Sequence, residues 1–279
     1  MADGRHAVSL IAPLAAHGRA EEVVLRVGQA IQLGLLTDGE QLPPEAEFAA
    51  RLGVSAMTLR EALAMLRQHG LVETRRGRAG GTFVRRPTAP QLGPIRDRLR
   101  AMTTGELRDL TDEQSAVSGA AARLAATRAS TVSVRRLLAL ADQLASAATT
   151  GARIMADSRF HIEVAIASNS ERLTALEVAL QATLAELLWL PVEATETAGT
   201  ARTARTARTA GAAGAAGADS ASDHPAELLT PRAAAGEHAA IAAAIEAENG
   251  SLARLLAEQH AEANLRRLTA LRRALPPQP

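Results

Sequence analysis

Residues 42–84 read LPPEAEFAARLGVSAMTLREALAMLRQHGLVETRRGRAGGTFV, and this stretch decides the fold. Two apolar-periodic runs, EAEFAARLG and SAMTLREALAMLRQHG, meet at Gly53-Val54-Ser55, so the spacing predicts two helices joined by a tight turn. Pro43 and Pro44 stand where proline suits a helix start, Gly53 where a helix ends, and Ser55 where a side-chain oxygen caps the next helix. Gly70 stops the second helix, and LVETRR and GTFVRR then flank the glycine-rich GRAGG as a β-hairpin. A third helical run, EEVVLRVGQAIQLG, precedes the pair.

Helix, turn, helix is the sequence form that sets its second helix into a DNA major groove, N-terminal residues facing the base edges. Here Leu59, Leu63 and Leu66 make the inward stripe, which leaves Ser55, Thr58 and Arg60 for phosphates or bases. In the hairpin, Arg75, Arg76, Gly77 and Arg78 combine charge with close backbone approach, as a wing entering the minor groove requires. Between Phe48 and Pro87 eight arginines stand against two glutamates, a local net charge of +6 in a chain whose formal net charge is +1. Positive charge gathered on one module points to double-stranded DNA as the partner. Residues 42–84 resemble the winged-helix domain of the GntR family of bacterial transcription regulators. They depart from its usual pattern at Ala46, Ala56 and Met57, where many relatives carry DNA-contacting residues, so the resemblance shifts DNA reading here toward Arg60 and the wing.

The whole chain has 279 residues, 47% of them hydrophobic but only 1% aromatic, and the apolar material is mostly Ala, Leu and Val. That composition favours helices packed through small side chains. The absence of cysteine excludes disulfides, thiolate metal sites and cysteine nucleophiles. No run approaches the roughly 20 apolar residues that span a bilayer, and the N-terminus does not read as a secretion signal, so a cytoplasmic protein without membrane contact is expected. The expected architecture is mainly α: a winged helix-turn-helix over 18–87, a proline-bearing linker over 88–106, and an antiparallel all-α bundle over 107–275. Helices are predicted near 95–102, 112–129, 132–149, 151–169, 170–190, 234–247 and 250–273. The Thr-Ala-Arg and Gly-Ala-Ala repeats of 198–223 have too little bulky apolar area to offset ordering and read as a disordered loop.

Within the bundle, D157-S-R-F-H161 puts a carboxylate and an imidazole four apart on one helix face, among Ile154, Val164 and Ala165. Alone it supports a polar seam as well as a site. His238 shares an apolar face with Ile241 and Ile245, and His260 follows Leu256 by one turn. A carboxylate on a core face costs several kcal/mol unless an arginine or a metal neutralises it. Three imidazoles and one carboxylate on three helices make a site for a divalent ion such as zinc, manganese or nickel.

The region 107–273 also resembles the effector-binding FCD bundle of the FadR branch of that family, on DSRFH, on Ala167-Ser168-Asn169, and on the runs around His238 and His260. The resemblance implies Asp157, His161, His238 and His260 as ligands of one ion, zinc first, with open positions for a small carboxylate effector. It also implies a homodimer on a pseudo-palindromic operator, with repression relieved by ligand as the commoner mode. Where relatives commonly place an arginine and a glutamate on the first bundle helix, this chain has Gln114 and Ser118. Arg153, Arg159 and Asn169 are the residues then left to hold the effector. An enzyme is not expected: Asp157 is taken as a ligand and no separate general base is evident, which sets aside a metal-dependent hydrolase. A regulator with a metal-free fatty-acyl pocket is the remaining alternative.

Overall fold

The computed structural model of the chain describes residues 20–77, 80–86, 92–191 and 230–275. Helix α1 (Ala20–Gln32) buries Val23, Val27, Ala30 and Ile31 along one side. Helix α2 (Glu45–Leu52) starts after Pro44 and ends at Gly53, whose φ of 70° lies in the left-handed region that suits glycine. Ser55 Oγ then accepts the Thr58 N–H at 3.0 Å and opens helix α3 (Ala56–Gln68), which buries Leu59, Ala62, Leu63 and Leu66. Strands β1 (Val72–Arg75) and β2 (Gly81–Val84) pair antiparallel, from Val72↔Val84 to Arg75↔Gly81. Residues 39–42 run along the far side of β2, with Gly39 N–H donating to Val84 O and Leu42 N–H to Thr82 O, both at 2.9 Å. The base of the hairpin is thereby fixed to the helices, while Arg76 and Gly77 at its tip are exposed.

Seven further helices follow among the described residues: α4 (Leu92–Ala101), α5 (Thr104–Arg128), α6 (Thr131–Ser146), α7 (Thr150–Ala167), α8 (Glu171–Leu188), α9 (Pro231–Glu246) and α10 (Gly250–Ala274). From α5 onward each begins on a hydroxyl or amide cap: Thr103, Ser130, Thr149, Ser170, Thr230 and Asn249 each accept a backbone N–H three residues on. Such caps contribute about 1 kcal/mol each, which lets long helices follow one another through very short links. The first bundle helix starts earlier than 112. Thr103 and Glu106 form a reciprocal capping box, Glu106 N–H to Thr103 Oγ1 at 3.1 Å and Thr103 N–H to Glu106 Oε2 at 2.6 Å. Much of the stretch read as a linker is therefore helical, and the 198–223 repeats lie outside the described residues.

The two 25-residue helices α5 and α10 pack along each other, and α7 lies between α5, α6 and α8. Ala121, Ala122 and Ala125 of α5 share one core cluster with Ala242 of α9 and Ala253 and Ala257 of α10. With three Phe and one Trp in the chain, burial comes from many small contacts between closely approaching helices. Helix α7 buries residues all round, Ile154, Ala156, Phe160, Ile162 and Val164 among them, as a central helix must.

The apolar core continues from the N-terminal helices into the bundle, joining Val27, Leu36, Ile154 and Leu184. Arg86, just past β2, donates to Gly151 O at 2.6 Å and lies 2.8 Å from Met155 Sδ, both on α7, while its backbone N–H donates to Asp38 Oδ1 at 2.9 Å. Gly34, at φ 69°, faces the same methionine; a Cβ there would sit 2.5 Å from Met155 Cγ. One helix thus abuts the N-terminal module and also carries Asp157 and His161.

Candidate nucleic-acid interface and metal centre

At the start of α3 the Ser55 and Thr58 hydroxyls lie 2.9 Å apart, and Arg60 Nε donates to Glu45 Oε2 at 3.1 Å. Both members of that ion pair are more than half exposed, so the pair is weak and exchanges readily for a phosphate. On the wing, Arg75 pairs with Glu73 at 2.7 Å and stacks its guanidinium 4.2 Å from the Phe83 ring centre. The bond from Arg75, helped by Arg85 at 2.9 Å, holds the Glu73 carboxyl below its usual range. Met57 is 79% exposed on the outer face of α3.

In the bundle, Asp157 and His161 from α7 meet His238 from α9 and His260 from α10, and all four are buried. One ligand atom from each lies within 4.8 Å of all the others. Asp157 Oδ1 is 3.4 Å from His238 Nε2, and the Phe160 ring lies flat on the His238 ring at 4.0 Å. Four side-chain atoms here, Asp157 Oδ2, His161 Nε2 and both His238 nitrogens, have no hydrogen-bond partner. Leaving such groups buried and unsatisfied costs about 1–3 kcal/mol each. Burial pushes the Asp157 carboxyl up. Burial, then the neighbouring His260, holds His161 well below the usual imidazole range, and burial, then His161, does the same to His238. Neutral imidazoles with free lone pairs and a carboxylate in want of a counter-charge are the donor set a divalent cation takes.

His260 is oriented from outside the cluster. Its Nδ1 lies 2.6 Å from Glu237 Oε2, and because an ionised carboxylate only accepts, Nδ1 is the donor of that bond. Although burial opposes its ionisation, the bond from His260 and the charge of Arg267 together hold Glu237 below the usual carboxyl range. Arg267 bonds Glu237 and also donates to Asn264 Oδ1 at 2.9 Å.

A second buried polar layer adjoins these four side chains. Asn264 Nδ2 sits 3.2 Å from His260 Nε2 and donates to Gln114 Oε1 at 3.3 Å. One turn on from Gln114, Ser118 donates to Glu177 Oε2 at 2.8 Å, and Gln181 Nε2 donates to Glu177 Oε1 at 2.9 Å. Burial pushes Glu177 up. A recess of about 10 Å³ lined by Asp157, Trp189, Asn264 and Arg267 lies beside the cluster. Outside, a groove of about 600 Å³ between α9 and α10 reaches Glu237 and His260.

Residues 19–84 match the family model described as bacterial regulatory proteins, gntR family. The N-terminal module is a gntR-family domain. The chain is 46% identical over 178 residues to RmpR of Mycobacterium gastri, whose designation is that of an HTH-type transcriptional regulator; the match covers 64% of this chain and 65% of that protein. It is 35% identical over 140 residues to the Uxu operon transcriptional regulator of Escherichia coli, covering 50% of this chain and 54% of the relative. The chain thus spans less than two thirds of these relatives. The solved Escherichia coli protein McbR/YncC aligns at 18% identity over 90% of this chain and 96% of that one, with a TM-score of 0.46.

On the gntR-family domain, Ser55, Thr58 and Arg60 share the start of α3, Arg75, Arg76 and Gly77 stand at the wing, and Arg78 lies outside the described residues. Asp157, His161, His238 and His260 come together. The three residues expected around the effector do not join them. Arg153 Nε donates to Ala147 O at 3.2 Å at the end of α6, Arg159 lies beside Gly34 on the opposite side of α7, and Asn169 is exposed at φ 51° in the turn after α7. The polar groups at the cluster are instead Gln114, Glu177, Gln181, Trp189 and Asn264. Of these, only Gln114 stands out in the sequence.

Proposed function

We propose that the chain is a cytoplasmic, ligand-responsive transcription regulator that binds a pseudo-palindromic DNA operator as a homodimer. It holds one divalent ion on Asp157, His161, His238 and His260 and senses a small organic acid or amino-acid-like effector there. The gntR-family domain with its exposed arginines supports the DNA partner. The metal reading is carried by one observation: four buried ligand atoms within 4.8 Å of one another, with no bonding partner inside the protein for most of them. Zinc suits a set of three imidazoles and a carboxylate, and manganese and nickel accept the same donors. Bound there, the ion supplies a Lewis-acidic centre for carboxylate oxygens. The small size of the adjoining recess, about 10 Å³, speaks against a fatty-acyl ligand.

The Arg86 and Met155 contacts give the bundle a physical route to the DNA-binding module, since a change in α7 reaches both. The shift in operator affinity then equals the effector's differential affinity for the two arrangements. Repression is the sign proposed. Gel-shift measurements on the protein's own promoter DNA test the reading: a sequence-specific, salt-sensitive complex is expected, lost in an Arg60→Ala, Arg76→Ala, Arg78→Ala variant. Elemental analysis of protein purified without a histidine tag should find about one divalent ion per chain. Unaltered DNA binding by the triple variant, or no bound metal, would defeat the corresponding half of the proposal.

A further inference from the structure

We infer that Met57 reads the C5 methyl group of a thymine in the DNA major groove, which makes it a specificity-determining residue for the operator. The inference rests on the DNA-binding reading above and deepens it by naming one base and the group through which it is recognised. Among the described residues Met57 is the most exposed large hydrophobic side chain, at 79%; the others, Leu25, Val132, Leu176, Leu252 and Leu255, lie between 41% and 59%. So exposed a side chain adds almost nothing to the core. Its place accounts for the exposure. Met57 stands nine residues, about two and a half turns, before Leu66, so it points away from the stripe of Leu59, Leu63 and Leu66 that α3 buries. It is also the second residue of α3, and the N-terminal residues of the second helix in a helix-turn-helix are the ones that meet base edges.

The neighbours of Met57 leave the reading to it. Ser55 Oγ accepts the Thr58 N–H, and the two hydroxyls bond each other at 2.9 Å, so both serve the cap. Arg60 Nε donates to Glu45 in an exposed pair that a phosphate can replace. Ala56 is exposed and has no polar side-chain atom. The tip of α3 therefore presents Ala56 and Met57 as a small apolar surface, with no ionised side chain from Ser55 to Leu59. Among the four bases only thymine carries a methyl group in the major groove. The other three present chiefly atoms that need a hydrogen-bond partner, which a thioether supplies poorly, and covering such atoms leaves them unsatisfied. An unbranched, polarisable side chain packs on a methyl group without needing a close fit.

Selection from a random duplex library with the full-length protein first gives the operator. A parallel selection with Met57→Ala marks the base pair whose preference depends on position 57, and that pair should be T·A. Thymine there is then replaced by deoxyuridine in both half-sites, which removes the methyl group and alters no hydrogen bond. At fixed salt the unaltered protein should bind the deoxyuridine duplex about three- to tenfold more weakly than the thymine duplex, and Met57→Ala should bind the two within about twofold. Met57→Leu, which keeps an apolar tip of similar size, should restore most of the difference. Equal affinity for thymine and deoxyuridine at every thymine of the operator would overturn the inference. So would a marked pair other than T·A, no marked pair, or a methyl dependence that survives in Met57→Ala. Should a variant lose its helical circular dichroism, the comparison of thymine with deoxyuridine on the unaltered protein decides. Failure to enrich any sequence defeats the sequence-specific DNA reading itself and this inference with it, and is seen before position 57 is tested.

Discussion

Asp157 is a buried carboxyl whose pKa burial pushes up, set beside His161 and His238, which burial holds well below the usual imidazole range. Removing one ligand should remove the ion: His260→Ala is expected to drop bound zinc from about one per chain to near none. At zinc a hundredfold above its dissociation constant the unaltered protein gains about 2.7 kcal/mol, roughly 5–10 °C in Tm for a chain of this size, and the variant should gain almost nothing. Glu177 gives a prediction with a definite sign. Its folded pKa is raised, so between the ordinary carboxyl value and that raised value the folded state binds more protons than the unfolded one, and stability falls as pH rises. Glu177→Gln should therefore raise the melting temperature of metal-free protein at pH 7.5, and the gain should shrink toward pH 4.5. A gain independent of pH would disprove this. The cluster residues were legible because Asp157, His161, His238 and His260 are polar interruptions of apolar faces. Glu177 and Gln181 share the same four-residue spacing, yet in LEVALQATLAELL they look like an ordinary solvated stripe, and only the packing of α8 against α5 shows them buried.

At the level of the helix, start and stop signals carried most of the reading. Ser55 and Gly53 sit where cap chemistry puts them, and Ser55→Ala should cost about 1 kcal/mol in chemical denaturation, since the Thr58 N–H loses its acceptor. Thr103-Thr104-Gly105-Glu106 carries a cap signal that the proline-rich stretch before it obscures, since proline outweighs a short cap in local sequence. Contacts between the N-terminal module and the bundle were not legible in the sequence. Nothing local in sequence places Arg86 against Gly151 and Met155, because that pairing depends on how α7 lies relative to β2. Arg86→Ala should leave operator affinity without effector within about threefold but reduce the effector-induced change. Fluorescence anisotropy with and without ligand measures both, and an undiminished response would remove Arg86 from the coupling route.

Across the whole molecule, a nearly balanced net charge conceals a strongly basic module. Operator affinity should therefore fall steeply with salt, and Arg76→Ala should lower the slope of log affinity against log salt by about one while weakening all sequences alike. The mainly helical class, the winged module and the bundle followed from composition and periodicity together. The seam between module and bundle did not, and it has a consequence for interchange. Gly34 has no room for even one added carbon against Met155, and Met155 stands two residues from Asp157 on the same helix. A hybrid regulator that borrows its sensor from one relative and its DNA reader from another would bring together surfaces shaped separately. Such hybrids should fold and load metal yet answer their effector poorly until positions 34, 86 and 155 are carried over as a set.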